Sequence, residues 1–251
     1  MIPIRVHRRL LALAAALCPI LAFGCGRVPG QFEILNNQVP ITAGGGCTIP
    51  VDETVYSGKG TLDLSIVRGD FSTAYFVFPL IENNLPPSAG NGNDPNQIQL
   101  SGFNIDIGTI GIVPDSVATV LQGSSLLHYQ TAWSGGIDSG GGKISASVEA
   151  FPVALAQQLA ASGSFGTEPS VVFNLKIQAL GTTNSGRSLQ SDPFSYPVEV
   201  CDGCLVHHVA PCPYQAAPAN PGNGCNPAQD EPVDCCSDNG VLICPATVAS
   251  P

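Results

Sequence analysis

Charge is scarce in this sequence, and positive charge is scarcest. Among 251 residues only 11% are charged, and 9 Lys and Arg face 19 Asp and Glu for a net charge of −10. Phosphate recognition needs a cationic footprint, so this balance argues against nucleic acid as a partner. Histidine is scarce too. His7, His128, His207 and His208 are the whole supply, and any histidine-based proton transfer has to use one of them. No GxSxG elbow, HExxH, P-loop or strand-to-helix GxGxxG occurs, so no motif points to catalysis. No internal period of roughly 20–50 residues repeats, which speaks against solenoids and propellers.

Cysteine, by contrast, is abundant: ten, alongside 28 Gly and 22 Pro. That many suits an oxidising compartment. With 44% of residues apolar, a chain of this length can also build a core.

The N-terminus explains how it reaches such a compartment. Arg5, His7, Arg8 and Arg9 precede an apolar run from Leu10 to Ala22. The run is too short for a bilayer-spanning helix and fits the h-region of an export signal over residues 1–24. It ends in Leu21-Ala22-Phe23-Gly24-Cys25, which resembles a bacterial lipobox. In that motif the cysteine is lipidated and becomes the mature N-terminus. Ala22 stands where the motif usually has Leu, and Phe23 is bulky for its place. Ordinary signal-peptidase cleavage after Gly24 cuts the same bond. The expectation is a membrane-bound chain anchored through lipid on Cys25, in the cell envelope and at the outer membrane, with residues 25–46 as a linker. Cleavage removes Arg5, Arg8 and Arg9 and no acid, so 9 − 3 = 6 bases remain against 19 acids, a net charge of −13. Such a surface is well solvated.

From about Gln31 to Val200 the apolar period is mostly two. Phe173, Leu175, Ile177 and Ala179 alternate with polar residues, as do Ile144, Ala146, Val148 and Ala150, and Leu62, Leu64 and Ile66. One apolar and one polar face is the mark of an antiparallel sheet packed on one side. Between Gln97 and Ile107 the phase slips at Ser101-Gly102, which predicts a β-bulge. Tyr75–Ile81 is nearly all apolar and reads as a doubly buried strand that Pro79 interrupts. Roughly eight short strands predict an all-β fold, an antiparallel β-sandwich of the Ig-like type over residues 47–200. One short helix is expected to start with Pro152 at its first position, with Leu155 and Leu159 four apart and Gly163 just beyond its end. A second helical turn is expected at Asp115–Leu121.

After Val200 the texture changes. Cys201, Cys204, Cys212, Cys225, Cys235, Cys236 and Cys244 fall in a proline-rich stretch without apolar periodicity. An irregular, cysteine-rich module over residues 201–251 must be held by cross-links or metal. Zinc would use Cys201 and Cys204 with His207 and His208, but a second ligand pair at knuckle spacing is missing. A redox role for the CxxC needs a helix N-terminus that the following residues do not promise. Disulfides are therefore expected, with no metal and no cofactor. Parity then says more. Removing Cys18 with the leader and Cys25 with the lipid leaves Cys47 and an odd number in the tail, so full oxidation requires Cys47 to pair with a tail cysteine. Its partner is open among roughly a hundred possible pairings of eight cysteines.

Other candidate sites carry little. The Ser88–Asn96 loop reads as an Asx-rich turn rather than a calcium loop. Asp52-Glu53 and Asp230-Glu231 read as solvated turn acids. Tyr129 and Trp133 share a face and read as core packing rather than a glycan platform. No catalytic residue is assigned. A non-enzymatic surface or binding role is the leading expectation, with a protein or glycan partner. A secreted hydrolase acting on glycans or another extracellular polymer is the alternative.

Three stretches together carry a resemblance: Cys47-Thr48-Ile49-Pro50 with Gly60-Thr61-Leu62-Asp63-Leu64; Tyr75-Phe-Val-Phe-Pro79 to Asn84-Leu85; and Glu199-Val200-Cys201-Asp-Gly-Cys204 with Cys225-Asn-Pro-Ala-Gln-Asp230 and Cys235-Cys236. The chain resembles the uncharacterised secreted lipoproteins of the myxobacterial type. The resemblance implies an envelope location and assigns no activity.

Overall fold

The computed structural model describes residues 30–43, 46–51, 54–68, 74–89, 93–162, 170–212, 220–226 and 228–244. The leader, Cys18, Cys25, Asp52, Glu53 and Gly163 lie outside them. In chain order the first elements are β1 (Phe32–Gln38), β2 (Ile41–Ala43), β3 (Gly46–Thr48), β4 (Tyr56–Ser57) and β5 (Gly60–Asp63). Helix α1 (Leu64–Arg68) follows, then β6 (Tyr75–Val77), β7 (Pro79–Asn83) and the long β8 (Ile98–Ile110). Helix α2 (Asp115–Gly123) leads to β9 (His128–Ile137), β10 (Gly142–Ser145) and β11 (Val148–Phe151). Helix α3 (Val153–Ala161) precedes β12 (Ser170–Thr183), β13 (Ser188–Gln190) and β14 (Phe194–Cys201). The tail adds β15 (Val206–Pro211), β16 (Val233–Asp238) and β17 (Val241–Ile243).

The fold is all-β and sandwich-like. Strands β5-β14-β12-β8-β9, with β13 beside β12, form the larger sheet, and β10-β7-β1-β4 form a smaller one. Phe103, Ile105, Phe173, Leu175 and Val198 of the larger sheet share one apolar cluster with Phe32, Ile81, Val77 and Val148 of the other strands. The larger sheet is antiparallel except at its edge, where β14 and β5 run parallel.

The bulge falls where the phase slip put it. The register between β8 and β9 shifts between Leu100 and Gly102, and Leu100 and Phe103 are both buried on either side of it. Glycine is required there, because a Cβ on Gly102 would lie 2.2 Å from the Thr131 carbonyl oxygen.

The Tyr75–Asn83 and Gly142–Phe151 runs are each split in two. Pairs Asn83–Gly142, Ile81–Ile144 and Val77–Val148 nevertheless keep one register. The ladder breaks at Phe78-Pro79, since Pro79 has no N–H to give. The gap is bridged by Asn37, whose Oδ1 accepts the Phe78 amide, and by Ala146 N donating to the Pro79 carbonyl at 3.1 Å.

Some elements differ from the sequence expectation. The Leu62, Leu64, Ile66 alternation is not one strand: β5 stops at Asp63, and Leu64 and Ile66 are buried in α1. The cause is a cap. Asp63 Oδ1 accepts Ser65 N at 2.9 Å and Ser65 Oγ at 2.6 Å, turning the chain into a helix. Pro152 caps α3 rather than starting it, while Leu155 and Leu159 are buried. Asp115–Gly123 is a full helix with Val117 buried. Strand β1 runs through the expected linker, with Phe32 and Ile34 in the core cluster. Phe32–Pro251 forms one compact unit. The tail is not irregular: β15, β16 and β17 form a sheet, and Val233, Cys235 and Cys244 join the shared cluster. The β16–β17 hairpin turns at Asn239-Gly240, both with positive φ (50° and 83°), as an Asn-Gly hairpin turn requires.

Candidate functional site

The tail meets the sandwich at three points, and the buried Asp63, Asn226 and Gln229 lie at these points. Covalently, Cys47 bonds Cys225, at a sequence separation of 178. The parity argument is met, and the open partner is Cys225. The remaining pairs are Cys201–Cys204, Cys212–Cys236 and Cys235–Cys244.

The second point is the segment after Cys225. Asp63 N donates to Ala228 O, Asp230 N donates to Thr61 O, and Leu62 bridges Gln229. The segment therefore covers the open edge of β5, which would otherwise present unpaired backbone groups. On its other side Gln229, nearly wholly buried, accepts Phe76 N and donates to Phe76 O. Asn226 donates to Ala74 O and to Gln229 Oε1.

Asp230 closes this segment in a left-handed conformation, φ 68°. That backbone costs about 1 kcal/mol for a non-glycine residue, and the side chain's bonds offset it. Its Oδ1 accepts Thr61 N at 2.8 Å and Tyr75 Oη at 3.0 Å, and its Oδ2 accepts Gln229 Nε2 at 3.1 Å. Asp230 is exposed as a whole residue, yet its carboxyl is walled by these partners. That burial pushes its pKa up against the pull of the hydrogen bonds. It is not the solvated turn acid that its neighbour Glu231 suggested. Tyr75 is fully buried, and burial followed by the Asp230 charge holds its hydroxyl well above the usual tyrosine range. Its hydroxyl lies 3.4 Å from that of Tyr196. Gly60 makes room for this group: a Cβ there would sit 1.8 Å from Tyr75 Oη.

Two cavities flank β4 above this network. One, about 290 Å³, is lined by Gln38, Lys59, Thr61, Phe78, Asp230 and Glu231 among others. The second, about 180 Å³, is lined by Tyr56, Phe194 and Tyr196. They share Asn37 and Ser57. Tyr56 is 59% exposed at the rim, and Phe194 stacks on Tyr196 at 6.3 Å. A two-lobed cleft with amides, hydroxyls, one cation and two acids offers both donors and acceptors beside aromatic faces.

The third point is Asp63 beneath the CxxC turn. Register places Asp63 beside Cys201. Besides capping α1, its Oδ1 accepts Gly203 N at 2.8 Å and its Oδ2 accepts Leu205 N at 2.7 Å. A carboxylate oxygen of Asp63 and the sulfurs of Cys201 and Cys204 lie within 4.8 Å of one another. This grouping is the one with metal-ligand chemistry among the described residues, and its sulfurs are joined to each other. His207 and His208 are not part of it. Both are exposed, and His207 Nδ1 pairs with Asp234 Oδ1 at 2.8 Å. His128 is exposed beside Asp106.

The remaining candidates serve the fold. Asp94 accepts Asn96 N and Ser139 Oγ, so its carboxyl organises a turn and its pKa is lowered, by Ser139 first. Trp133 packs edge-on against Phe103, and Tyr129 donates to Glu149 O. No helix among the described residues is long and apolar enough to cross a membrane. No protein family, curated protein or solved structure matches the chain.

Proposed function

We propose that this is a non-enzymatic protein of the bacterial cell envelope, lipid-anchored through Cys25, whose sandwich presents the cleft beside Tyr56–Ser57 to a protein or glycan partner. One observation carries the absence of catalysis. Asp63, which is fully buried, and Asp230, which lines the cleft, spend their oxygens on amides and hydroxyls that fasten the tail. A general acid or base needs a lone pair or proton aimed at a substrate. The four disulfides support an oxidising compartment, and the lipobox-like residues ending at Cys25 and the myxobacterial-type resemblance support the anchor.

Metabolic labelling with an alkyne fatty acid tests the reading. The wild-type protein takes up label and fractionates with membranes, and Cys25→Ser does neither. Equal labelling of both proteins, or none of either, overturns it.

One observation favours a second reading, the glycan hydrolase. The Asp230 and Glu231 carboxyls line one cavity, as the two carboxyl groups of a glycoside hydrolase flank its cleft. Reducing-sugar release from a polysaccharide panel, lost in Asp230→Asn, would establish it. No release by the wild type ends it.

A further inference from the structure

We propose that Cys201 and Cys204 form a thiol–disulfide exchange site that opens and closes without unfolding the protein, with thiols reaching it from solvent as its substrate class. Three observations converge on it.

The first is asymmetry. Cys204 is exposed on the turn, whereas Cys201 is buried at the end of β14. An incoming thiolate reaches only one of the two sulfurs, and the protected sulfur is the leaving group.

The second is redundancy. The bond closes a loop of sequence separation 3, against 178, 24 and 9 for the other pairs. A cross-link this short removes little freedom from the unfolded chain. The loop is already fixed without it. Asp63 holds Gly203 N and Leu205 N, and β14 pairs with β5 and with β12 as far as Cys201. Opening the bond leaves these contacts in place and keeps the two sulfurs close. Cys47 is exposed as well, but its bond carries the long tether, so its opening frees the tail.

The third is the setting. Asp63 is fully buried, and its carboxylate lies within 4.8 Å of both sulfurs. It is a positioning residue: its bonds to the loop persist in both redox states and hold the two thiols in register for re-closure.

The chemistry balances as follows. A thiolate R–S⁻ attacks Cys204 Sγ, forming a mixed disulfide and breaking the Sγ–Sγ bond. Cys201 leaves as thiolate and takes a proton. A second thiol attacks the mixed disulfide at the R sulfur, releasing R–S–S–R and the Cys204 thiol. The sum is protein disulfide plus two R–SH giving protein dithiol plus R–S–S–R, with both protons on the protein sulfurs. The reverse reduces a disulfide partner and re-forms the Cys201–Cys204 bond.

The test uses the folded, oxidised, full mature chain. Glutathione redox buffers of graded ratio are applied and near-UV circular dichroism reports packing; each sample is then quenched in acid, its free thiols are alkylated in denaturant, and peptides are mapped. The expected result is alkylation of Cys201 and Cys204 with the dichroism retained. Re-closure on adding oxidised glutathione should be slowed about tenfold in Asp63→Asn, because the loop no longer pre-positions the thiols. In Cys201→Ser the glutathione adduct should sit on Cys204, and in Cys204→Ser no adduct should form on Cys201. Where a variant does not fold, the wild-type titration decides alone. A Cys201–Cys204 bond that stays closed until the near-UV signal is lost overturns the proposal.

Discussion

Gln229 completes the edge of Phe76. Its side-chain amide accepts the Phe76 N–H and donates to the Phe76 carbonyl, each at 3.0 Å, so a side chain stands in for a strand at the open side of β6. The tail is thus bonded into the sandwich as an element of it. Gln229→Ala leaves a buried N–H and a buried C=O unpaired. The expected loss is about 1–3 kcal/mol in urea unfolding, while an exposed substitution such as Val241→Ala on the tail hairpin costs little.

The covalent part of the same attachment is Cys47–Cys225. By chain entropy, closing a loop of this sequence separation (178) stabilises by about 5 kcal/mol, against about 2 kcal/mol for Cys201–Cys204. The Cys47→Ser, Cys225→Ser double variant is therefore expected to unfold at much lower denaturant than the Cys201→Ser, Cys204→Ser double variant. Equal midpoints would contradict the ranking.

Gly60 admits the Tyr75 hydroxyl. A methyl group there must displace it from Asp230, so Gly60→Ala is expected to destabilise by about 1–3 kcal/mol. The measurement includes a control, because Gly58→Ala meets nothing within 4 Å and is expected to change little.

The buried ionisable groups set a pH signature. Asp230 has its pKa raised from 3.8 by burial, so its favourable contribution is full below that value and is lost as pH rises through the folded-state pKa. Asp230→Asn removes this loss, and its stability relative to wild type should improve as pH rises above 3.8. At the alkaline end Tyr75, Tyr196 and Tyr129 are all raised above 10.0, by burial first. Their contribution is present below 10.0 and lost as pH rises beyond it. Of the five tyrosines, these three should gain phenolate absorbance only together with unfolding.

What could be read from the sequence was local or a matter of counting. The bulge at Ser101-Gly102 shows as a phase slip within a few residues, and the Cys47 tether follows from an odd remainder. The hairpin at Asn239-Gly240 carried a local signal of the same kind, though the stretch reads as irregular when periodicity alone is considered. What could not be read depends on distant partners. Asp63 turns β5 into α1, and its other ligands, Gly203 and Leu205, lie about 140 residues on. Asp230 looks like a turn acid beside Glu231 until Tyr75 and Thr61 close around it. Gln229 has no sequence mark at all, because its partner is a backbone amide rather than a complementary side chain.

Intact mass spectrometry of the protein extracted from membranes tests the proposed export, the proposed anchor at Cys25 and the cross-linking most directly. The predicted mass is that of residues 25–251 plus an acylated glyceryl group. It is also lower by eight hydrogens, two for each of the four disulfides. A mass without acyl chains, or one retaining those hydrogens, would contradict it.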